Sequence, residues 1–410
     1  MKRKKQSWID KIPEDWEVVK LDNLIEVETG KRERGGGLSE GDVASIGGEY
    51  IDDQGNILWN EMKFISEEFY NSLTQGKVKV GDILLVKDGA TTGKVAFVKS
   101  LKYDKVAVNE HVFIIRCKEK IMNEFLFYFL FSQFGQTQIK AKFHGIIGGI
   151  IKKDLEKILI PLPPLPEQKA IAQILSTVDE AIQKVDEIIA KTERLKKGLM
   201  QNLLTKGIGH KEFKDSEIGR IPKEWEITKI KNSNIAEIIM GQSPPSSTYN
   251  TSGDGLPFLQ GKAEFGSIYP TPVMYTSQPT KIAEKGDILI SVRAPVGDVN
   301  LCPFRLCIGR GLAAIRIKGG SNLFYFYWLQ KAKKTIENIG KGSTFKAIAK
   351  SELENIWIPI PYIQEQQKIA EILSTVDKKL ELERKRKEKL ERIKKGLMND
   401  LLTGRKRVKL

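Results

Sequence analysis

Cysteine is scarce in this 410-residue chain: Cys117, Cys302 and Cys307 form no CxxC pair and no disulfide framework. Histidine is as sparse, and His111, His144 and His210 lie too far apart in sequence to read as a metal site. No apolar run approaches the ~20 residues of a membrane span, the richest being Phe125 to Phe131. The opening MKRKKQSWIDKIPEDW has no apolar stretch of the signal-peptide kind, so the expected location is cytoplasmic. Catalytic kits are missing too. There is no GxxxxGK followed by Ser or Thr for a nucleotide. There is also no NPPY- or DPPY-like tetrapeptide of the kind amino-methyltransferases place around a flipped base. Asp82, Lys87 and Asp88 come nearest to a Mg²⁺-holding nuclease set. The matching stretch downstream offers Asp287, Val292, Arg293 and Ala294 instead, so Asp82 and Asp287 are read as residues of a strand-entering turn.

What the chain does have is positive charge and an internal repeat. Lys and Arg number 67 against 52 Asp and Glu, a formal charge of +15, which favours a polyanionic partner, nucleic acid first. Residues 161–205 and 359–403, at a shift of 198, match at 23 of 45 positions without a gap. In the first copy Ile171, Leu175, Val178, Ile182, Val185, Ile189 and Thr192 recur at steps of four and three, followed by Leu199 and Leu203. In the second copy Ile369, Leu373, Val376, Leu380, Leu390, Leu397 and Leu401 take the same register. That average of 3.5 residues predicts two long helices, one per half, packed against each other as a spacer. Each is expected to begin after its proline run, Pro161 to Pro166 and Pro359 to Pro361, and to extend about 50 Å.

The repeat also orders the rest of the chain. IPEDWEVVKL at 12–21 returns as IPKEWEITKI at 221–230, with Trp16 and Trp225 expected to pin each domain's start into its core. Strands are expected at Val78–Val86, Val95–Val98 and Val106–Cys117, and again at Gly286–Val292, Val299–Cys302 and Ala313–Ile317, separated by glycine turns. The aromatic runs 123–130 and 322–329 read as core helices closing each domain, with base stacking as the lesser alternative. The fold class is thus α/β in the α+β sense: two related globular domains with β-sheets, separated by two long helices packed against each other, the whole an internal repeat. The divisions are 1–160, first domain; 161–205, central helix; 206–220, a Gly-rich charged linker; 221–358, second domain; and 359–410, C-terminal helix and tail. The halves diverge most inside the globular parts, which points to a common frame carrying two different readers.

Candidate DNA-reading residues sit on the glycine-bounded loops. In the first domain they are Lys31, Arg32, Arg34, Lys87, Thr91, Thr92, Lys94, Lys142 and His144. In the second they are Gln242, Ser243, Ser247, Arg293, Lys341, Ser343, Thr344 and Lys346. Arg and Gln match the edges of guanine and adenine, whereas Lys mostly neutralises phosphate. The glycines at 35–37 and 145–149 are read as flexible loops rather than phosphate cradles. The charges from Arg384 to Lys395 and the tail GRKRVKL are read as a solvated helix face and a frayed end.

Several phrases in order resemble the specificity subunit of type I restriction–modification systems: IPEDWEVVKL and IPKEWEITKI, FKDSEIGRIP, GDILISVRAPVGDV, IPLPPLPEQKAIAQIL and IPIPYIQEQQKIAEIL. The resemblance covers nearly the whole chain. The second helix departs from the first where Glu383 to Lys387 are charged. What it implies is a non-catalytic chain with two target recognition domains, one for each half of a split double-stranded DNA site, held in a pseudo-twofold repeat by the two long helices packed as an antiparallel coiled coil. It implies two methylation subunits bringing S-adenosylmethionine, and two restriction subunits with ATP and Mg²⁺. The chain itself would bind no cofactor and would guide adenine methylation and cleavage. Two other readings stand beside it: a self-sufficient methyltransferase or nuclease, and a structural coiled-coil protein that binds DNA.

Overall fold

The computed structural model describes Ile9 and residues 12–35, 37–145, 148–232, 234–340 and 347–409. The chain divides into two compact units, residues up to Asp186 together with Arg386 onward, and Glu187–Lys385. Each unit therefore holds one globular domain, the first part of the helix that follows it and the last part of the other helix.

Both domains are built on the same four-stranded antiparallel sheet. In the first the order is Ile25–Thr29, Val112–Cys117, Ile83–Val86, Val95–Phe97; in the second it is Ala236–Met240, Leu312–Ile317, Ile288–Ser291, Val299–Leu301. The registers agree as well, with Ile83 opposite Ile115 and Ile288 opposite Ile315. The two middle strands are apolar at successive positions because the sheet is covered on both faces. Ile83 and Leu85 face one apolar cluster while Leu84 and Val86 face another. A further sheet differs between the domains, three-stranded in the first and five-stranded in the second. The divergence expected in the globular parts lies there and in the loops.

Several strands are shorter than the sequence patterns indicate. Val78 to Gly81 are not in the strand that begins at Ile83; the Lys79 amide donates to Asp82 Oδ2 at 2.8 Å, closing a turn with Gly81 at φ 91°. Val106–Cys117 is two strands, Lys105–Val108 and Val112–Cys117, broken by the turn at 109–111. Asp82 does more than serve its turn. It takes the Arg116 guanidinium side-on at 2.7 and 2.8 Å, and Asp287 takes Arg316 likewise at 3.1 and 2.8 Å. Both carboxylates are buried, and each bidentate arginine supplies the counter-charge that burial requires.

The aromatic runs are helices, Asn123–Phe131 and Asn322–Lys331, and their rings are core: Phe125, Phe129, Phe324 and Phe326 are fully buried. The long helices run Leu165–Lys206 and Ile363–Leu401, 42 and 39 residues. The first is roughly 60 Å long, more than the 50 Å expected. It also starts one residue before Pro166, not after the proline run, since a proline in the first turn lacks only an N–H that would have no helical partner. Strand Leu159–Leu162 pairs with Glu17–Lys20, so the first domain continues past residue 160 into the Pro-rich stretch. Trp357–Ile360 pairs with Glu226–Lys229 in the same way.

Within each unit the two helical segments run antiparallel. Lys394 meets Asp179 at 2.6 Å and Lys387 meets Asp186 at 2.6 Å in one unit; Lys196 meets Asp377 and Arg384 meets Glu193, both at 2.7 Å, in the other. Of the seam residues, Ile171, Leu175, Ile182, Val185, Ile369, Leu373, Leu380 and Leu401 are buried, and Val178, Ile189, Leu199, Leu203, Val376, Leu390 and Leu397 are half-buried. Many of them pack into a domain as well as along the helix pair. Ile171, Leu175, Leu397 and Leu401 join the first domain's core, and Leu199, Leu203, Ile369 and Leu373 the second's. The charged stretch Glu383 to Lys387 is answered by ion pairs from Arg384 and Lys387.

The repeated Glu-Gln at the helix starts has a structural task. Glu167 accepts the Trp16 indole N–H at 3.1 Å and Glu365 that of Trp225 at 2.9 Å. Gln168 accepts the Met122 amide and Gln366 the Ser321 amide, each at 2.9 Å, fixing the loop before each aromatic helix. Both tryptophans are core, as expected. The tail, however, is not frayed. Arg407 binds Glu167 at 2.7 and 2.8 Å and Asp15 at 2.8 and 2.9 Å, and lies 5.4 Å over the Trp16 ring. Lys394 also departs from a solvated face, being buried against Asp179 and Phe131. The linker 206–220 is likewise ordered in its residues. Phe213–Lys214 pairs with Ile221–Pro222, and His210 lies between Glu224 and Glu365 at 2.8 and 2.9 Å.

Candidate nucleic-acid interface

The strand register decides which loops share an end of each sheet. In the first domain Thr29 lies opposite Phe113 and Val86 opposite Val112. Residues 30–35, the 87–94 connection and the 109–111 turn therefore emerge together. The Ile150 amide donates to the Lys87 carbonyl at 2.7 Å, which brings residues 141–145, 148 and 149 to the same end. In the second domain Met240 lies opposite Ala313 and Ser291 opposite Leu312. Loops 241–248, 292–298 and 309–311 share one end, and the bridge between Arg293 and Ala347 adds the start of a fourth segment. The candidate residues of each domain are thus gathered at one end of its own sheet, as far as they lie within the described residues; Lys341, Ser343, Thr344 and Lys346 lie outside them.

Their side chains are not equally available. Lys31, Arg34, Gln242, Ser247 and Arg293 are exposed. Arg32 is exposed and pairs with Glu110 at 3.5 Å. Thr91 donates to the Gly48 carbonyl at 3.1 Å and Thr92 to that of Gly89 at 2.6 Å, so both hydroxyls shape the loop. Lys94 bonds the Ile51 carbonyl and Asp53, Lys142 is half-buried, and His144 meets Asp154 at 2.7 Å. Lys87 is paired with Asp88 at 2.6 Å, and the other oxygen of Asp88 meets His111. Burial opposes the charge on Asp88, but the bonds from Lys87 and His111 outweigh it and hold the carboxyl below its usual range.

Both domains also present residues that the charge and glycine patterns did not single out. At the first domain's turn stand Glu110 and His111, 3.2 Å apart, beside a cavity of about 260 Å³ that Arg32, Glu49 and Lys63 also line. At the second domain's turn stands Arg310, next to Gln260, both exposed. The Gly-Arg-Gly at 309–311 was the available signal, and it went unread because a three-residue turn between two strands looks like any other turn.

A family model, "Type I restriction modification DNA specificity domain", matches residues 13–194 and 222–392, once per half. A protein of Methanocaldococcus jannaschii named as the MjaX type I restriction enzyme specificity subunit is 44% identical over 99% of this chain and 97% of its own. The chain belongs to the type I restriction–modification specificity subunits. The MjaVIII specificity subunit of the same organism is 32% identical over 97% of this chain and 95% of that one. A solved chain from work on complex assembly and conformational transition of a type I restriction–modification system is 29% identical, with TM-score 0.58 over 95% and 98% of the two chains. A specificity subunit from M. genitalium shares the fold at TM-score 0.64 over 98% of each chain, with 18% identity. Specificity subunits recognise DNA sequence, and this assignment sets aside the self-sufficient enzyme and the purely structural coiled coil. Proteins of this kind are the non-catalytic members of their systems. No helix among the described residues is long and apolar enough to cross a membrane.

Proposed function

We propose that this specificity subunit reads a bipartite double-stranded DNA site, one half per globular domain, with the gap set by the paired helices. What carries the reading is the contrast between a frame repeated in both halves and loops that differ. The Trp–Glu and Asp–Arg contacts recur, as does a tyrosine hydroxyl on the aspartate of a lysine pair, Tyr128 on Asp179 with Lys394 and Tyr327 on Asp377 with Lys196, whereas the loops at the sheet end carry Lys31, Arg32 and Arg34 in one domain and Gln242, Ser243 and Ser247 in the other. One frame holding two different sets of donors suits two unlike short half-sites on the same duplex, about one helical turn apart. Exposed Lys and Arg supply phosphate contacts, and the base-edge contacts select sequence.

The chain then directs chemistry done elsewhere. Two methylation subunits holding S-adenosylmethionine dock on the helical frame and methylate adenine, and two restriction subunits holding ATP and Mg²⁺ cut the DNA. The complex works in the cytoplasm. Adenine methylation mapped base by base, in cells carrying the chain with its partner subunits, tests this. A split motif of two short halves, lost when residues 359–403 are deleted, is the expected outcome. A continuous motif, or a split motif that survives the deletion, sinks the reading.

A further inference from the structure

The 309–311 turn in the second domain is built to hold one side chain still. A Cβ at Gly311 would lie 2.6 Å from the Gln260 carbonyl oxygen, and one at Gly309 would lie 3.1 Å from Ser243 Oγ and from the Gln260 Cα. Neither flanking position therefore admits a side chain without displacing its neighbours, and Arg310 stands alone at the tip. Three hydrogen bonds to two segments brace it. The Gly309 amide donates to Leu259 at 2.8 Å, the Arg310 amide to Ser243 Oγ at 3.2 Å and the Gly311 amide to Gln260 at 3.2 Å. Ser243 Oγ also takes the Gln260 side-chain amide at 3.1 Å, which sets that group beside the turn.

The guanidinium itself is exposed and has no ion-pair partner among the described residues. At the matching turn of the first domain, between Lys105–Val108 and Val112–Cys117, the tip carries Glu110, engaged with Arg32 and His111. The charge at this place thus changes sign between the domains while the strands on either side keep their register. A contact that belonged to the shared frame would not reverse.

We propose that Arg310 is a specificity-determining residue: it reads a guanine in the half-site of the second domain, with Gln260 beside it at the same base step or the next. The inference rests on the bipartite reading above. A planar fork of donors matches the O6 and N7 acceptors of guanine with two bonds, and a rigid backbone base is what such a contact needs. A phosphate contact needs only charge and tolerates a mobile stem.

The test is base-resolved adenine methylation by the full chain with its methylation partners, as wild type, Arg310→Lys and Arg310→Ala. The wild type is expected to give a split motif with an invariant guanine in one half. Both variants are expected to lose discrimination at that single position by roughly 10- to 100-fold, with the other half unchanged. The lysine variant is the decisive one, since it keeps the charge, and its thermal midpoint controls for folding. Arg310→Lys retaining the full motif while Arg310→Ala lowers methylation evenly at every site would make Arg310 a phosphate contact and overturn the proposal. An unchanged motif in both variants would overturn it too. A wild-type motif that is split but lacks an invariant guanine sinks this proposal alone; a wild-type motif that is not split sinks the bipartite reading and this with it.

Discussion

The two halves close over their tryptophans with different cations. In the first unit Arg407, beyond the end of the second long helix, bridges Glu167 and Asp15 above Trp16. In the second, His210, beyond the end of the first long helix, bridges Glu365 and Glu224 edge-on to Trp225. Asp15 and Glu224 precede the tryptophans at the same place in each opening phrase, and Glu167 and Glu365 match in the repeat. Arginine stays charged at any working pH, and histidine does not. One architecture therefore holds the first domain with a permanent clasp and the second with a titratable one. Duplication preserved the carboxylates and the ring, and only the cation diverged.

The equivalence of the frames breaks most severely at the tryptophans. Trp16→Ala and Trp225→Ala are each expected to cost about 3–5 kcal/mol, because a large buried ring leaves a cavity that its neighbours fill only partly. Calorimetry that shows similar losses for both supports equivalent frames; a loss in one half alone contradicts it. Next come the buried carboxylates. Asp287→Ala leaves Arg316 without its bonded carboxylate and is expected to cost on the order of 3 kcal/mol in urea titrations, whereas Asp82→Ala is expected to cost less, because Arg116 keeps its bonds to Glu28 and the Lys77 carbonyl. Substituting Asp287 by Ala together with Arg316 by Met should recover part of that loss, since the unpaired charge goes with its partner.

The clasp gives the pH prediction. Burial opposes a charge on His210, but its bonds to Glu365 and Glu224 outweigh that and raise its pKa above the ordinary histidine value of 6.5. The unfolded chain has the lower value, so this contribution is complete below about pH 6.5 and is lost as pH rises through the folded-state value. The second unit should therefore unfold more easily from neutral pH upward, and His210→Arg should flatten the profile towards that of the first. Unfolding midpoints across pH 5.5 to 8.5 check this, and a wild-type midpoint indifferent to pH would count against it. The smallest effect is expected at Arg384→Ala. Its pair with Glu193 is about half exposed on both sides, so the loss is expected to stay below about 1 kcal/mol and to shrink further with added salt.

The repeat, the long helices, the aromatic core helices and the tryptophan anchors were legible because each depends on spacing within a short stretch. Ile171, Leu175, Val178 and Ile182 point one way on a helix whatever surrounds them. The Glu-Gln pairs were visible as repeated letters, but not as what they are: Glu167 meets Trp16 across 151 residues, and no local pattern links them. The tail was misread for the same reason, since Arg407 finds Asp15 across 392 residues. Among the loop candidates, Thr91, Thr92 and Lys94 looked like open donors until the fold turned them onto neighbouring carbonyls. Arg310 drew no reading from the sequence, and only strand register placed its turn beside loop 241–248.

By itself, then, the sequence determined that there are two related halves, that each is an α+β domain followed by a long helix, and which family the chain resembles. Periodicity and duplication are properties of the chain taken in order, and they survive without coordinates. The tertiary structure alone decided which half of each helix packs with which domain, which cation guards each tryptophan, and which loops share a sheet end. Those are pairings between residues far apart in sequence, set by strand register and by the requirement that buried charge be matched, and neither leaves a local trace.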